Sequence, residues 1–353
     1  MGALLLLLVM FFSGSETAVE KLRSEWGREA RVAYKSGTAG DIEPARKYRE
    51  ISAKSQKKVW DYVRRNPKAK DIEEAWELLL RIDEKIGDVE AEAEHAREYL
   101  KQFPQGIYRS YAEYRLGLLT IVDAKSDEEV DALITEFDRR WPTAILERGT
   151  LRAKAAERAA EAGNIQRALK LYDEALAFPK TDEERELEAR NHGIGWHNWW
   201  QRDRDRLDLF RETPELVAKD VDGKPVDLRK LQGKEVLIAF WSPPCCKDRI
   251  LVDLRSLYDE LHLQGLEIIG VGVDQAAGNV KGVKNGLRLR FPNIHCEGGM
   301  KNPLAKDFKV NGIPHTVLID SAGKVRAVGL RGIALEDKVR SLLAEKTQLA
   351  AKR

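Results

Sequence analysis

The hydrophobic positions of this chain follow two patterns, one in each half. In residues 19–200, charged residues are interspersed among apolar ones, which is typical of helices with one face exposed to solvent. After residue 211, apolar runs of strand length such as 236–240 alternate with helical patterns such as that of Ile250, Leu254, Leu257 and Leu261. Strands that alternate with helices predict a mainly parallel sheet with crossover helices. The pattern therefore predicts an all-α domain followed by an α/β domain.

Prolines recur at a nearly constant interval through the helical half. Successive separations are 37, 38 and 37 residues, and an aromatic residue stands five positions before each of the first three prolines, in the series Pro67, Pro104, Pro142 and Pro179. A period in this range is typical of stacked supersecondary units that share one core. Because proline cannot continue a helix, we expect each of the four at or just after a helix end.

The repeat is clearest in residues 159–179. Gly163 stands sixteen residues before Pro179, and Gly87 stands seventeen residues before Pro104. Glycine ends helices in the left-handed conformation, so we expect interhelix turns at both glycines. The segment resembles the second half of a tetratricopeptide repeat, which implies a surface that binds a protein or peptide. A generic helical bundle with unrelated prolines is the alternative.

The chain begins with an apolar run, residues 3–12, that is shorter than a membrane span requires. Small residues follow at Ser13 and Ser15. This arrangement is typical of a signal peptide over residues 1–18. We therefore expect export to the periplasm or the extracellular space, with no membrane span after signal removal. A buried N-terminal helix is the alternative.

Tryptophans and then charges mark the end of the helical half. We interpret the tryptophans as part of a helix that caps the repeats, with a ligand platform as the alternative; they are Trp196, Trp199 and Trp200. Residues 201–211 are rich in Arg and Asp and are predicted as a charged linker. The predicted organisation is a signal peptide over 1–18, helical repeats over 19–200, a linker over 201–211 and a second domain over 212–350.

Composition narrows the classes of function. The chain has 353 residues, enough for two domains with their own cores. Its net charge of +2, from 60 basic and 58 acidic residues, gives no indication of a nucleic-acid partner. Three cysteines do not make a disulfide framework. Sequence motifs for dinucleotide, nucleoside triphosphate, zinc-protease and serine-hydrolase sites are missing, so we expect thiol chemistry without a cofactor.

The most informative chemistry lies in residues 240–246, Phe-Trp-Ser-Pro-Pro-Cys-Cys. Cys245 comes after a predicted buried strand and before a predicted helix. A thiol at a helix start feels the positive end of the helix dipole and unpaired backbone N–H groups, and both favour the nucleophilic thiolate. About seventy residues later, Ile313 and Pro314 lead into another apolar strand.

These two segments together resemble the thioredoxin-like superfamily. Over about 211–350 the chain is similar to secreted TlpA/ResA-type oxidoreductases and to the AhpC/TSA group, through residues 224–234, 266–274, 291–294 and 322–324. The resemblance implies a fold in which a tetratricopeptide-like helical array precedes an α/β thioredoxin-like domain. It also implies a cis proline facing the cysteine motif, and a substrate groove formed by Trp241, Ser242, Ile313 and Pro314. A core position is the alternative for Trp241.

The cysteine motif departs from the family pattern, which is Trp-Cys-x-x-Cys. Alignment on Phe240 and Trp241 puts Cys245 at the attacking cysteine and Asp248 at the resolving one. Asp248 cannot form a disulfide, and a nearby carboxylate raises a thiol pKa, so we expect only a modestly activated Cys245. Cys246 and Cys296 are the candidate resolving thiols, although a disulfide between adjacent residues forms a cramped ring.

Three other interpretations of these side chains stay open. Ser242-x-x-Cys245 resembles the peroxide-binding motif of peroxiredoxins. A copper or zinc site is a further alternative, because thiolate and imidazole ligands suit these metals; its ligands would be Cys245, Cys246, His295 and Cys296. Each cysteine can also be a small buried hydrophobe. His315 is expected either as a packed loop residue or near the thiolate.

The sequence therefore predicts an exported thiol-dependent oxidoreductase. Cys245 attacks, an external thiol reductant restores the enzyme, and the acceptor is either a protein disulfide or a peroxide. The competing interpretation is a non-catalytic binding protein, in which the repeats hold a partner and the redoxin fold has lost its chemistry.

Overall fold

The computed structural model describes residues 16–35, 42–190, 195–242, 249–274 and 276–351. The chain divides into two compact units. The first unit takes in residues 1–39, 43–158 and 171–196, and the second takes in residues 40–42, 159–170 and 197 onward. The domain limits predicted at residues 200 and 212 stay predictions.

Helices make up the described chain as far as Arg211. They are α1 (Ala18–Lys35), α2 (Ile42–Arg65), α3 (Ile72–Ile86), α4 (Val89–Gln102), α5 (Arg109–Asp123), α6 (Asp127–Arg140), α7 (Ile145–Glu161), α8 (Ile165–Leu176), α9 (Asp182–Arg190), α10 (Trp196–Asp205) and α11 (Asp208–Arg211).

The periodic prolines lie where the sequence predicted. All four stand two or three residues beyond a helix end, after α2, α4, α6 and α8: Pro67, Pro104, Pro142 and Pro179. Gly87 ends α3 with a φ of 74°, and Gly163 follows α7 with a φ of 82°. The helix ends and the glycine turns are therefore confirmed. Membership of the tetratricopeptide class stays a prediction.

The helices of the first unit pack around aromatic residues and buried, hydrogen-bonded polar groups. Trp76 and Tyr99 are fully buried, with ring centroids 6.2 Å apart. The Asp83 carboxylate, also fully buried, accepts a hydrogen bond from Gln56 and lies 2.8 Å from Nδ1 of His95. Buried polar groups need such partners, so these bonds help to specify how the helices pack.

Residues 201–211 differ from the predicted charged linker. Residues 201–205 complete α10, and α11 follows after Arg206 and Leu207. Leu207 and Leu209 are buried, because the arginine-rich stretch also carries apolar positions that pack into a core.

The second unit continues with an α/β arrangement. Its strands are β1 (Val217–Lys219), β2 (Pro225–Asp227), β3 (Glu235–Trp241), β4 (Leu266–Gly272), β5 (Asn293–His295), β6 (His315–Ile319) and β7 (Val325–Val328). Its further helices are α12 (Arg249–Leu261), α13 (Ala277–Gly286), α14 (Pro303–Asp307) and α15 (Gly332–Ala351). Strands β1 and β2 form an antiparallel pair, and the other five form one sheet in the order β5-β4-β3-β6-β7.

The sheet is mixed, whereas the sequence predicted a mainly parallel one. Strands β3, β4 and β5 are parallel, but β6 is antiparallel to β3, and β7 is antiparallel to β6. The turn between β6 and β7 uses Gly323 at a φ of 82°, and Asp320 N–H donates to the Lys324 carbonyl. A turn this short forces a hairpin, which requires antiparallel strands.

Each face of the sheet has its own core. Leu237, Ala239 and Trp241 of β3 pack in a cluster with apolar residues of α12 and α15. The alternate residues Val236, Ile238 and Phe240 pack on the other face, in a cluster with Ala305 of α14 and Phe308. The central strand is thus buried on both sides, which explains its uninterrupted apolar sequence.

A membrane-spanning helix would need a long apolar stretch. Among the helices of the described ranges, none combines the required length with the required hydropathy. The predicted signal peptide falls mostly on residues 1–15, which lie outside the described residues.

Candidate functional site

Two described elements bracket the predicted cysteine motif. Strand β3 ends at Trp241, the half-buried Ser242 follows it, and α12 begins at Arg249. Cys245 and Cys246 lie between them, outside the described residues. The strand–segment–helix order is the one that the sequence predicted.

The Pro314 loop lies beside the end of β3. The Ile313–Pro314 peptide is cis, as the family resemblance implied. Strand β6 begins immediately afterwards, and its first residue, His315, pairs with Phe240. Because β3 and β6 are antiparallel, Pro314 comes next to the point where β3 leads into the cysteine segment. Ile313 and Pro314 are both half-buried, so part of each is exposed to solvent.

Trp241, predicted as a groove residue, is fully buried. It packs with α12 in the cluster on one face of the sheet, and its Nε1 has no hydrogen-bond partner among the described atoms. It therefore presents no surface to solvent, so it cannot contact a substrate directly. The alternative interpretation of Trp241, as a core residue, agrees with this placement.

Cys296 lies at the same edge of the sheet but inside the core. It follows β5, and its N–H donates to the carbonyl of Gly272 in β4, so β4 separates it from β3. Its side chain is 1% exposed and belongs to the cluster with Phe240 and Phe308, on the face opposite α12. Burial raises the pKa of the Cys296 thiol. A protonated, buried thiol is a poor nucleophile, so this placement favours the structural alternative, although the pairing with Cys245 itself stays a prediction.

His315 is buried as well, with 1% of its surface exposed. Its Nδ1 lies 3.3 Å from Nη2 of Arg206, and its ring contacts Phe240 with centroids 5.9 Å apart. Burial, together with the charge of Arg206, lowers the pKa of His315 to about 3. The imidazole is therefore neutral near pH 7, and of the two expectations for His315 the packed one describes its surroundings.

Sequence reasoning missed the arginines around this loop. Arg202 and Arg206 come from α10 and the turn after it, and Arg331 precedes α15 and donates from Nη2 to the Pro314 carbonyl at 2.5 Å. Burial lowers the pKa of Arg206, and the charges of Arg202 and Arg331 act in the same direction against Asp203. The sequence signal was the run 201–206, but alternating arginine and aspartate also suited a solvated linker.

The alternative metal site has only two of its four ligands in the described chain. His295 Nε2 is 3.0 Å from the carbonyl oxygen of Asp274 and is engaged there. Within the described ranges, no three metal-ligating side chains come together. Cys245 and Cys246 fall outside those ranges.

Comparisons with known proteins agree with this geometry. A model of the AhpC/TSA family matches residues 210–328. The thiol-disulfide oxidoreductase ResA of Bacillus thuringiensis (strain Al Hakam) is 32% identical over 126 residues, which cover 35% of this chain and 70% of that protein. ResA of Halalkalibacterium halodurans is 29% identical over 134 residues, covering 37% of this chain and 73% of that protein.

A solved structure of a thioredoxin-family thiol:disulfide interchange protein from Chlorobium tepidum TLS is also similar. It is 25% identical, with a TM-score of 0.33, over 37% of this chain and 94% of that one. The relatives named thiol-disulfide oxidoreductases support a redox function. By the identity to ResA and the share of ResA that is covered, this chain belongs to the AhpC/TSA family of thioredoxin-like proteins, through a ResA-type domain at its C-terminal end.

Proposed function

We propose that this protein is a thiol-disulfide oxidoreductase in which Cys245 is the attacking thiolate. One observation carries the proposal: the cis Pro314 loop lies beside the end of β3, directly before the Cys245 segment. The half-buried residues Ser242, Ile313 and Pro314 line the substrate groove next to that cysteine. The names of the curated relatives favour a disulfide over a peroxide as the acceptor.

The reaction follows thiol–disulfide exchange. The Cys245 thiolate attacks one sulfur of the substrate disulfide, forms a mixed disulfide and releases the other substrate sulfur as a thiolate, which takes up a proton. A second thiol then attacks the Cys245 sulfur and releases the remaining substrate thiol. The substrate gains two electrons and two protons, and Cys245 is left in a disulfide with the second thiol. A further thiol of the reductant attacks that disulfide, which frees Cys245 and leaves the two reductant thiols as a disulfide.

The second thiol comes from an external reductant in this proposal. Asp248 stands where the family has its resolving cysteine. Cys296 is buried on the sheet face opposite α12, and its pKa is raised. Cys246 is adjacent to Cys245 in sequence. An external thiol, such as a small-molecule monothiol or a reduced protein dithiol, needs neither the buried Cys296 nor a cramped disulfide between Cys245 and Cys246.

Substitution of single cysteines tests the assignment. Cys245→Ser is expected to abolish insulin-disulfide reduction by the full chain, because serine does not form a thiolate. Cys246→Ser should retain at least part of the activity. Cys296→Ala should retain most of the activity, because the Cys296 thiol is buried in the core and the proposed reaction does not use it. Peroxide consumption is measured with the same proteins to separate the two acceptors.

Full activity of both Cys245→Ser and Cys246→Ser, toward disulfides and toward peroxides, would contradict the proposal. The second candidate function, a non-catalytic binding protein, would then be the better one. The observation that favours it is Asp248 at the position of the resolving cysteine. In either case we propose that the helical repeats hold a protein or peptide partner.

We also propose that the protein is exported. The support is the apolar run at residues 3–12 and the small residues that follow it. N-terminal sequencing of the protein from its native host tests this: a mature chain that begins near residue 16 is expected, and an intact start at Met1 would exclude a cleaved signal.

A further inference from the structure

Three arginines meet at the Pro314 loop, and the proposed thiol chemistry uses none of them. Arg331 bonds to the Pro314 carbonyl, and Arg206 contacts the ring of His315. Arg202, one helical turn before Arg206, acts electrostatically on both Arg206 and His315. Residues that are distant in sequence therefore concentrate positive charge next to the groove.

Arg202 and Arg206 each keep a buried N–H group without a hydrogen-bond partner among the described atoms. Asp203 bonds to Arg206 at 3.2 Å, but its side chain is 41% exposed. In both side chains the buried group is Nε–H. His315 is neutral near pH 7, so it adds no compensating charge.

Arg206 is the strongest indication of a built site, because only 6% of its surface is exposed. Removing a guanidinium from water is costly unless its charge and its N–H groups are met by partners. Gly329 leaves room for it: a Cβ at that residue would lie 2.8 Å from Nη1 of Arg206. The fold thus holds a buried cation here, and an anion would stabilise it.

Part of this cluster is accessible to solvent. Arg202 and Arg331 are half-buried, as are Gly312 and Pro314, so each keeps some exposed surface. A Cβ at Gly312 would lie 4.0 Å from Nη2 of Arg202, which places that guanidinium against the loop backbone. Arg202 and Arg331 would contact the anion directly. The buried Arg206 would attract it through its charge, without direct contact.

We propose that Arg202, Arg206 and Arg331 form a binding site for a carboxylate carried by the disulfide substrate. The inference rests on the proposed function, since it assumes a substrate held at the Pro314 loop. Guanidinium groups bind carboxylates through paired, charge-assisted hydrogen bonds, which also orient the bound group. The enzyme then prefers disulfides in which an acidic residue stands close to the reacting cysteine.

Paired substrates test the preference in the full chain. Two peptide disulfides are compared that differ only in Glu or Gln beside the cysteine. The wild type should have the higher kcat/KM for the Glu peptide. Arg202→Gln should lower that value roughly tenfold while changing the Gln peptide little, because one charged hydrogen-bond partner is lost. Arg202 is chosen because it is only half-buried, so its replacement spares the core.

Arg204→Gln is the matched control. It removes the same charge from α10, two positions away, and therefore on another face of the helix. It should leave the ratio of the two kcat/KM values at the wild-type level. An equal fall for both peptides with Arg202→Gln, or the same loss of preference with Arg204→Gln, would overturn the carboxylate site.

A binding measurement separates this site from the chemistry. The Cys245→Ser chain is titrated with a fluorescent form of each peptide, its cysteine alkylated, and anisotropy is recorded with and without Arg202→Gln. Tighter binding of the Glu peptide that Arg202→Gln abolishes supports the site even if no disulfide is ever reduced. Turnover without any discrimination between the peptides keeps the proposed function and rejects the site.

Discussion

His315 stands next to the Pro314 loop, yet its surroundings keep it uncharged. Burial and the positive charges of Arg206, Arg202 and Arg331 all act against its protonation, whereas a hydrogen bond with the Phe308 backbone acts in its favour. An imidazolium here would add a fourth positive charge to the three arginines, of which Arg206 is bonded to the Asp203 carboxylate. The residue therefore acts as a neutral hydrogen-bonding and packing group.

This environment predicts a pH dependence with a definite sign. In the unfolded chain the pKa of His315 is about 6.5, and in the native state it is about 3. Below pH 6.5 the unfolded state binds a proton that the native state does not, so the stabilisation from neutral His315 is lost as the pH falls toward 3. Near pH 5 the loss is about 2 kcal/mol relative to pH 7.

His315→Gln removes this titration while keeping a polar side chain. The free energy of unfolding is measured in urea for both proteins at about pH 7 and about pH 5. The difference between wild type and variant should be smaller at the lower pH. A difference that does not change with pH would show that the native pKa is close to its ordinary value.

Glycine matters to a helix end of this chain where the backbone has a positive φ. Gly163 follows α7 at a φ of 82°, and nothing lies within 4 Å of the place where a Cβ would be. Gly282 also has free space around its Cβ position, but it lies inside α13 with ordinary helical φ. The two positions therefore separate backbone strain from steric contact.

Alanine substitution at these two glycines should have opposite effects. Gly163→Ala should destabilise the protein by about 1 kcal/mol, because alanine resists the left-handed conformation. Gly282→Ala should stabilise it by up to about 1 kcal/mol, because alanine is the better helix former. Urea unfolding of both variants measures this. A stabilising Gly163→Ala would mean that the turn does not require a positive φ.

At the scale of the whole molecule, each unit has a hydrophobic core of its own. The first unit buries Leu79 with Trp76 and Tyr99, and the second buries Leu254 against the sheet. Separate cores allow separate unfolding transitions in a chain of this size. The Cys245 segment proposed for the thiol chemistry is bracketed by elements of the second core alone.

Matched cavities in the two cores test their independence. Leu79→Ala and Leu254→Ala remove the same atoms from positions that are at most 1% exposed, and each should cost about 2–5 kcal/mol. Differential scanning calorimetry should show two transitions, with each variant lowering the midpoint of a different one. A single transition shifted by both variants would show that the units unfold together.

Much of the fold was predictable because its determinants act over short distances. The prolines at 67, 104, 142 and 179 end helices through their own geometry, and Gly87 and Gly163 make turns through theirs. The apolar sequence of 236–240 predicted a strand buried on both faces, and the family motifs predicted the cis Pro314. The turn at 322–324 was predicted from the family's terminal hairpin, but the antiparallel pairing of β6 with β3 was missed, since a strand's own pattern does not report which neighbour it pairs with.

The sequence by itself determined the order of elements, the thioredoxin-like class and the position of Cys245 between a strand and a helix. Only the tertiary structure decided which face of the sheet Cys296 occupies. Successive side chains near a strand point to opposite faces, and the Cys296 side chain lies on the face opposite α12. The tertiary structure also decided that Arg202, Arg206 and Arg331 meet at Pro314. Burial and electrostatics depend on distances in space, and residues far apart along the chain acquire those distances only on folding.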